Sequence, residues 1–183
     1  MPRIAPVDPA AASGKAKDLL AGVEKALGTT PNLMRTLAHS PSALAGYLGF
    51  GAALRGGRLG AALGEQIAVA VAGANRCDYC ASAHTALGAA AGVDQAELAA
   101  NLAGRAGDPK VQAALDFARA VVRNRGFVAD ADLAAVRRAG YDDGEIVEIV
   151  AAVAHNIFTN YFNHVAETEV DFPLVETDAR AAA

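Results

Sequence analysis

The chain has 183 residues, 53% hydrophobic and 20% charged, with a formal net charge of −4. That balance excludes a disordered chain and the basic footprint of a nucleic-acid binder, and the length supports a hydrophobic core without disulfide staples. The first twenty residues lack the apolar centre of a signal peptide, and the apolar run QIAVAVAGAN is far short of the ~20 residues that cross a bilayer. The expectation is a soluble cytoplasmic protein with no membrane partner.

Alanine accounts for 46 positions, and no segment alternates β-branched residues between turn signals, so the chain reads as all-α. Ser13 is placed to cap a first helix that runs to about Leu27. Thr30 before Pro31 opens a second, and Ser40 before Pro41 opens a third that ends in the glycine-rich RGGRLG loop. That loop lacks the fingerprint of a phosphate cradle. A fourth helix covers about Ala61 to Ala74. A fifth begins at the cysteines and ends near Gly92. Asp94 to Glu97 resembles a capping box for a sixth, Asp108-Pro109 starts a seventh, and DADLAAVRRAG is a short eighth. The ninth begins near Asp142 and runs past Val165. No internal repeat is visible, and residues 1–183 are read as one helical domain.

The last helix carries two stripes at helical spacing. Ile146, Ile149, Val150, Val153, Ile157, Tyr161 and Val165 read as the seam facing the core. Asn156, Asn160 and Asn163, with His164 beside them, form the second. It is either a polar face in solvent or at a subunit contact, or the lining of a cavity that leads to the thiols.

Those thiols are the informative feature. The only two cysteines fall together in NRCDYCASAH, as Cys77-x-x-Cys80, with His84 four positions further on. At a helix start, unpaired N–H groups and the positive end of the helix dipole favour a thiolate. A close cysteine pair in a reducing compartment is more often catalytic or metal-binding than structural. His84 lies one turn beyond Cys80 on the same face, where an imidazole can take its proton or stabilise its anion. Glu65 is the sole acid in an otherwise apolar run. A tight turn at Asn75-Arg76 would fold its helix back against the cysteine helix and bring the carboxylate near His84, giving a relay of carboxylate, imidazole and thiol.

Glu65, eleven residues, Cys77-x-x-Cys80, three residues and His84 together resemble the signature of the AhpD-like superfamily, the alkylhydroperoxidase D and carboxymuconolactone decarboxylase group. The resemblance covers about residues 40–125. The tail HNIFTNYFNHVAETEVDFP is similar to the peroxidase-related branch and extends it through a long helix at about 142–168. The resemblance implies an all-α, AhpD-like bundle of about eight to nine helices that assembles as a trimer or hexamer. It implies a thiol-dependent peroxidase or disulfide oxidoreductase whose only redox group is a Cys77–Cys80 disulfide, with no bound cofactor. Cys80 would attack the hydroperoxide, Cys77 would donate a proton and resolve the product, and His84 and Glu65 would relay protons. A dithiol reductant, such as a lipoyl protein or a thioredoxin-like donor, would restore the pair. This chain departs from the best-known AhpD at Tyr79, where that protein has a histidine.

Other readings stay open at this level. Cys77, Cys80 and His84 are also zinc-ligand types, to be completed by His155, His164 or Glu65, although structural zinc sites usually draw on two such clusters. A non-catalytic oligomeric helical protein that keeps the motif for stability is another. His39 reads as a residue at a helix C-terminus with no chemistry. Asp78 beside the thiols would slightly oppose a thiolate, and no role is assigned to it.

Overall fold

The computed structural model describes residues 1–177; the last six positions of the expected single domain, 178–183, lie outside the described residues. Nine α-helices and no strands are present among them. In order they are α1 (Gly14–Leu27), α2 (Asn32–Leu37), α3 (Pro41–Arg55), α4 (Gly60–Asn75), α5 (Asp78–Ala90), α6 (Gln95–Leu102), α7 (Pro109–Arg123), α8 (Asp130–Arg138) and α9 (Asp143–Ala166). None is long and apolar enough to cross a membrane.

The punctuation behaves as expected at most ends, with physical exceptions. Ser40 accepts from the Ala43 amide at 3.3 Å, and Asp108 accepts from Lys110 and Val111. Asp142 and Glu145 close a full capping box on α9, each accepting from the other's backbone N–H at 2.9 Å. Ser13 occupies the N-cap of α1 but makes no capping bond. The N-cap of α2 is Pro31 rather than Thr30. Asp94 caps α6 through Ala96, but Glu97 does not complete the box. Its carboxylate instead takes the Gly107 amide and the Asn101 side chain, tying α6 to the loop before α7.

Helix α4 is the axis of the molecule. From Gln66 to Ala72 every residue is buried, as a helix apolar on all sides requires, and α5, α6, α7 and α9 pack around it. Two clusters form the core. One joins Ile67 and Val71 of α4 to Leu115 and Phe117 of α7, Val136 of α8, and Ile149 and Val153 of α9. The other gathers Leu20, Val23, Leu33, Leu37 and Leu44 from the first three helices over Tyr79, Cys77 and Cys80. A strap of irregular chain, residues 167–177, closes over this second cluster.

The expected seam of α9 is only partly the buried one. Ile146, Ile149 and Val153 face the core, but Val150 is exposed, and Tyr161 and Val165 are 55% and 63% exposed. In the second half of the helix Asn156, Asn160 and Asn163 are buried instead, together with Thr159 and Ala166. The reason is the partner surface: α9 passes from the apolar flank of α4 to the cysteine turn, where polar groups are needed.

Candidate active site

The site begins at the turn between α4 and α5. Arg76 takes a left-handed conformation (φ 56°, ψ 48°), reversing the chain so that α5 returns along α4. Its carbonyl accepts from His164 Nε2 at 3.2 Å, which fastens the turn to α9. Cys77 is the N-cap of α5, and its Sγ accepts from the Cys80 amide at 3.4 Å, occupying the place of a capping oxygen. Both cysteines are free thiols, each only 2% exposed.

The reversal sets α5 against α4 so that His84 Nδ1 donates to Glu65 Oε2 at 2.7 Å. Burial alone would hold the imidazole neutral. The Glu65 carboxylate, through its charge and this hydrogen bond, outweighs it, and with the nearby Cys80 sulfur raises the His84 pKa. The ring is therefore biased toward imidazolium beside Cys80.

Around Cys80 polar groups converge. Asn163 Nδ2 donates to Sγ at 3.2 Å and Cys77 offers its own S–H, while Thr159 Oγ1, which donates to the Asn156 carbonyl, lies 3.8 Å away as an acceptor. Asn75 Nδ2 donates to Asn160 Oδ1 at 2.8 Å, which fixes that amide next to the site. Burial opposes ionisation of Cys80. The Cys77 hydrogen bond, the charge on His84, and Asn163 and Asn160 together overcome it and lower the pKa to about 6. Cys77 shifts the other way: its hydrogen bond to Cys80, its burial and the neighbouring negative sulfur all keep it protonated. One sulfur is poised as an anion and the other as a proton-bearing thiol.

Two further aromatic residues shape the surroundings. Tyr47 lines the same cleft as Cys80 and His84. Burial, with the charges of Cys80 and Glu65, keeps its phenol protonated well above the ordinary tyrosine range. Its ring stacks on His155 at 4.5 Å, and His155 Nε2 donates to the Tyr47 carbonyl at 3.2 Å; burial first of all holds that imidazole below its usual pKa. Tyr79 is a structural peg, buried with its hydroxyl accepting from the Leu33 amide at 3.0 Å. It stands between the thiols in sequence but not in their proton chemistry.

The structure thus brings Glu65, Cys77, Cys80 and His84 together. The buried side of the asparagine stripe faces the cysteine pair: Asn163 lines a hollow on the Cys77 side, whereas Asn160 is fully buried next to Cys80 and lines neither of the two hollows at the pair. His164 and His155 hydrogen-bond to the backbone carbonyls of Arg76 and Tyr47. Among the described residues, no three of His, Cys, Asp and Glu come together as a metal-holding group. His39 is exposed and reaches the Ala5 carbonyl at 2.9 Å. Asp78 accepts from the amide and hydroxyl of Thr177 in the strap at 2.8 and 2.6 Å. Tyr47 and Thr159 carried no sequence signal: each is a common residue on a helix whose partner is remote in the chain.

Residues 41–122 match the carboxymuconolactone decarboxylase family. No curated protein matches the sequence. Among solved structures, the chain is similar to an AhpD-core, peroxidase-related protein from Ralstonia eutropha JMP134, at 27% identity with a TM-score of 0.85, covering 93% of this chain and 92% of that one. A peroxidase-related protein from Silicibacter sp. TM1040 is 22% identical with a TM-score of 0.79, covering 91% of each chain. The debrominase Bmp8, in complex with 2,3,4-tribromopyrrole, is 20% identical with a TM-score of 0.79, covering 92% of this chain and 91% of that one; at that identity the likeness shows the fold alone. The family match spans the helices that carry the cysteines, and the chain has the AhpD-like fold over nearly its whole length.

Proposed function

We propose that the protein is a thiol-dependent peroxidase in which Cys80 is the nucleophile, Cys77 the proton donor and resolving thiol, and His84 with Glu65 the proton relay. Relatives of one fold carry different activities, so the reading rests on the site. The observation that carries it is the opposed bias of the two sulfurs: Cys80 drawn toward thiolate by Asn163, His84 and the Cys77 S–H, and Cys77 held as a thiol beside it. The Cys80 thiolate attacks the outer oxygen of a hydroperoxide and the O–O bond breaks. The departing alkoxide takes a proton from Cys77, and Cys80 becomes a sulfenic acid. The Cys77 sulfur then displaces water from it, closing the disulfide. The proton balance is kept by His84, which Glu65 orients through Nδ1 so that Nε2 is turned away from the carboxylate.

The cleft that reaches Cys80 and His84 is small and mostly apolar, about 120 Å³, lined by Leu33, Met34, Tyr47 and Leu87. It suits a compact organic hydroperoxide, with the protonated Tyr47 phenol as a donor toward it. No metal or organic cofactor is part of the scheme. A dithiol donor, a lipoyl or thioredoxin-like protein, returns the pair to the reduced state, which fits a cytoplasmic setting. The working form is a homo-oligomer, a trimer or hexamer.

The test is turnover of cumene hydroperoxide with dihydrolipoamide. Cys80→Ser abolishes consumption, and Cys77→Ser accumulates a sulfenic acid on Cys80 that a dimedone label reports by mass. Undiminished turnover by Cys80→Ser rejects the reading.

A further inference from the structure

Two hollows approach the cysteine pair, and each touches a different sulfur. The apolar cleft is lined by Cys80 and not by Cys77. On the other side lies an open groove of about 820 Å³, with Cys77 and Asn163 in its floor and Arg76, His164, Glu169 and Leu174 around it; Cys80 does not line it. Tyr79 and Phe172 line both hollows and pack edge to face with centroids 5.9 Å apart, so this pair is the wall between them. The wall is pinned on both sides. Tyr79 is held by the Leu33 amide, and the strap that carries Phe172 is held by Val175 N on Ser82 Oγ at 2.9 Å and by Thr177 on Asp78.

We propose that the open groove is the docking place of the reducing dithiol donor, whose thiolate attacks the sulfur of Cys77, on the opposite side of the wall from the cleft that serves Cys80. This rests on the peroxidase reading, because it is the disulfide product that must be reduced. The groove falls in the range of ligand-binding hollows, about 300–1,000 Å³, and the cleft lies below it. A peroxide fits the smaller space, whereas a dithiol on a carrier arm needs the larger. Cys77 is 2% exposed at the floor. Val170, Phe172 and Leu174 of the strap form one bank.

The chemistry agrees with the geometry. Attack on Cys77 forms a bond between the donor sulfur and Cys77 Sγ as the Cys77–Cys80 bond breaks, and the electron pair leaves on Cys80. Asn163 and His84 are already placed to receive that anion, and a better-stabilised leaving thiolate leaves faster. Attack on Cys80 would expel Cys77, whose surroundings disfavour the anion. The donor's second thiol then attacks its own sulfur in the mixed disulfide. Cys77 departs and takes up a proton released by the donor, and the donor leaves as a disulfide carrying two electrons fewer.

The experiment separates the half-reactions. The unmutated protein is oxidised with diamide, treated with glutathione as a monothiol probe, quenched in acid and alkylated, and each cysteine is assigned by fragmentation mass spectrometry. Glutathione on Cys77 with the alkyl label on Cys80 is the expected result; glutathione on Cys80 overturns the proposal. In parallel, Glu169→Trp, at an exposed position on the groove, slows reduction by dihydrolipoamide by about tenfold and leaves oxidation by cumene hydroperoxide unchanged. Slowed oxidation with unchanged reduction overturns it. A protein that takes glutathione at Cys77 yet consumes no hydroperoxide rejects the peroxidase reading alone. Two thiols that diamide cannot join reject both.

Discussion

Glu65 acts through one contact, a 2.7 Å bond that helps raise the pKa of His84, whose charge in turn helps lower that of Cys80. Cys80 is protonated below its lowered pKa of about 6 and anionic above it, so its alkylation rate by iodoacetamide rises through that pH and is flat beyond. In Glu65→Gln the imidazole loses the carboxylate that raises its pKa, its pKa falls, and the Cys80 thiolate loses positive charge beside it. The inflection then moves to higher pH by about one unit, roughly tenfold in thiolate fraction below it. Mass-resolved alkylation across pH checks this, and an unmoved inflection would show that Glu65 does not act on Cys80. Asn163 works differently, as a neutral donor at 3.2 Å whose effect is independent of pH over this range.

At the scale of elements, the cysteine helix is placed by how closely α4 approaches its neighbours. Gly73, one turn before the reversal at Arg76, packs against the backbone of Leu102 at the end of α6, and a Cβ there would collide with the Leu102 carbonyl oxygen. Backbone cannot yield as a side-chain tip does. Gly73→Ala therefore costs about 1–3 kcal/mol, the range for overpacking a tight contact, and denaturant unfolding reads it as a fall in midpoint with an unchanged slope. Gly88→Ala is the control: its Cβ meets the flexible end of Leu98 at 2.7 Å, and the smaller loss distinguishes a movable neighbour from a fixed one. Equal destabilisation by the two would contradict this account. The strap belongs at this scale too. It has no regular structure, yet its bonds to Asp78, Ser82 and Asn32 tie it across α5 and α2.

At the scale of the whole molecule, α9 keeps one face for the site and leaves another bare. Val147, Val150, Phe158, Tyr161 and Val165 recur at helical spacing along a helix of about 36 Å, and all are exposed. An apolar stripe of that length is a surface for association, and a second copy of this chain is the partner we assign to it. Light scattering coupled to gel filtration gives a mass above one subunit for the unmutated protein. Val147→Lys with Val165→Lys, the two most exposed members, lowers it while leaving helical circular dichroism intact. A single-subunit mass for the unmutated protein would sink the assignment.

Local rules were enough for much of this molecule. Alanine content and the caps at Ser40, Asp108 and Asp142 determined an all-helical chain with its boundaries, because those signals act within one turn. The spacing from Glu65 to His84 determined their contact, because the two helices are joined by a short turn and need only fold back on each other. What lies across the chain was left to tertiary structure. Two stripes of α9 satisfied the same helical period, and only the packing of α4, α5 and the strap decided that Asn160 and Asn163 turn inward while Tyr161 and Val165 turn out. Asp78 illustrates the same limit. Its charge argued against a thiolate, yet its carboxylate accepts from a partner ninety-nine residues away. Periodicity specifies which residues share a face; the surface that covers a face comes from elsewhere in the sequence, and burial is settled only when the two meet.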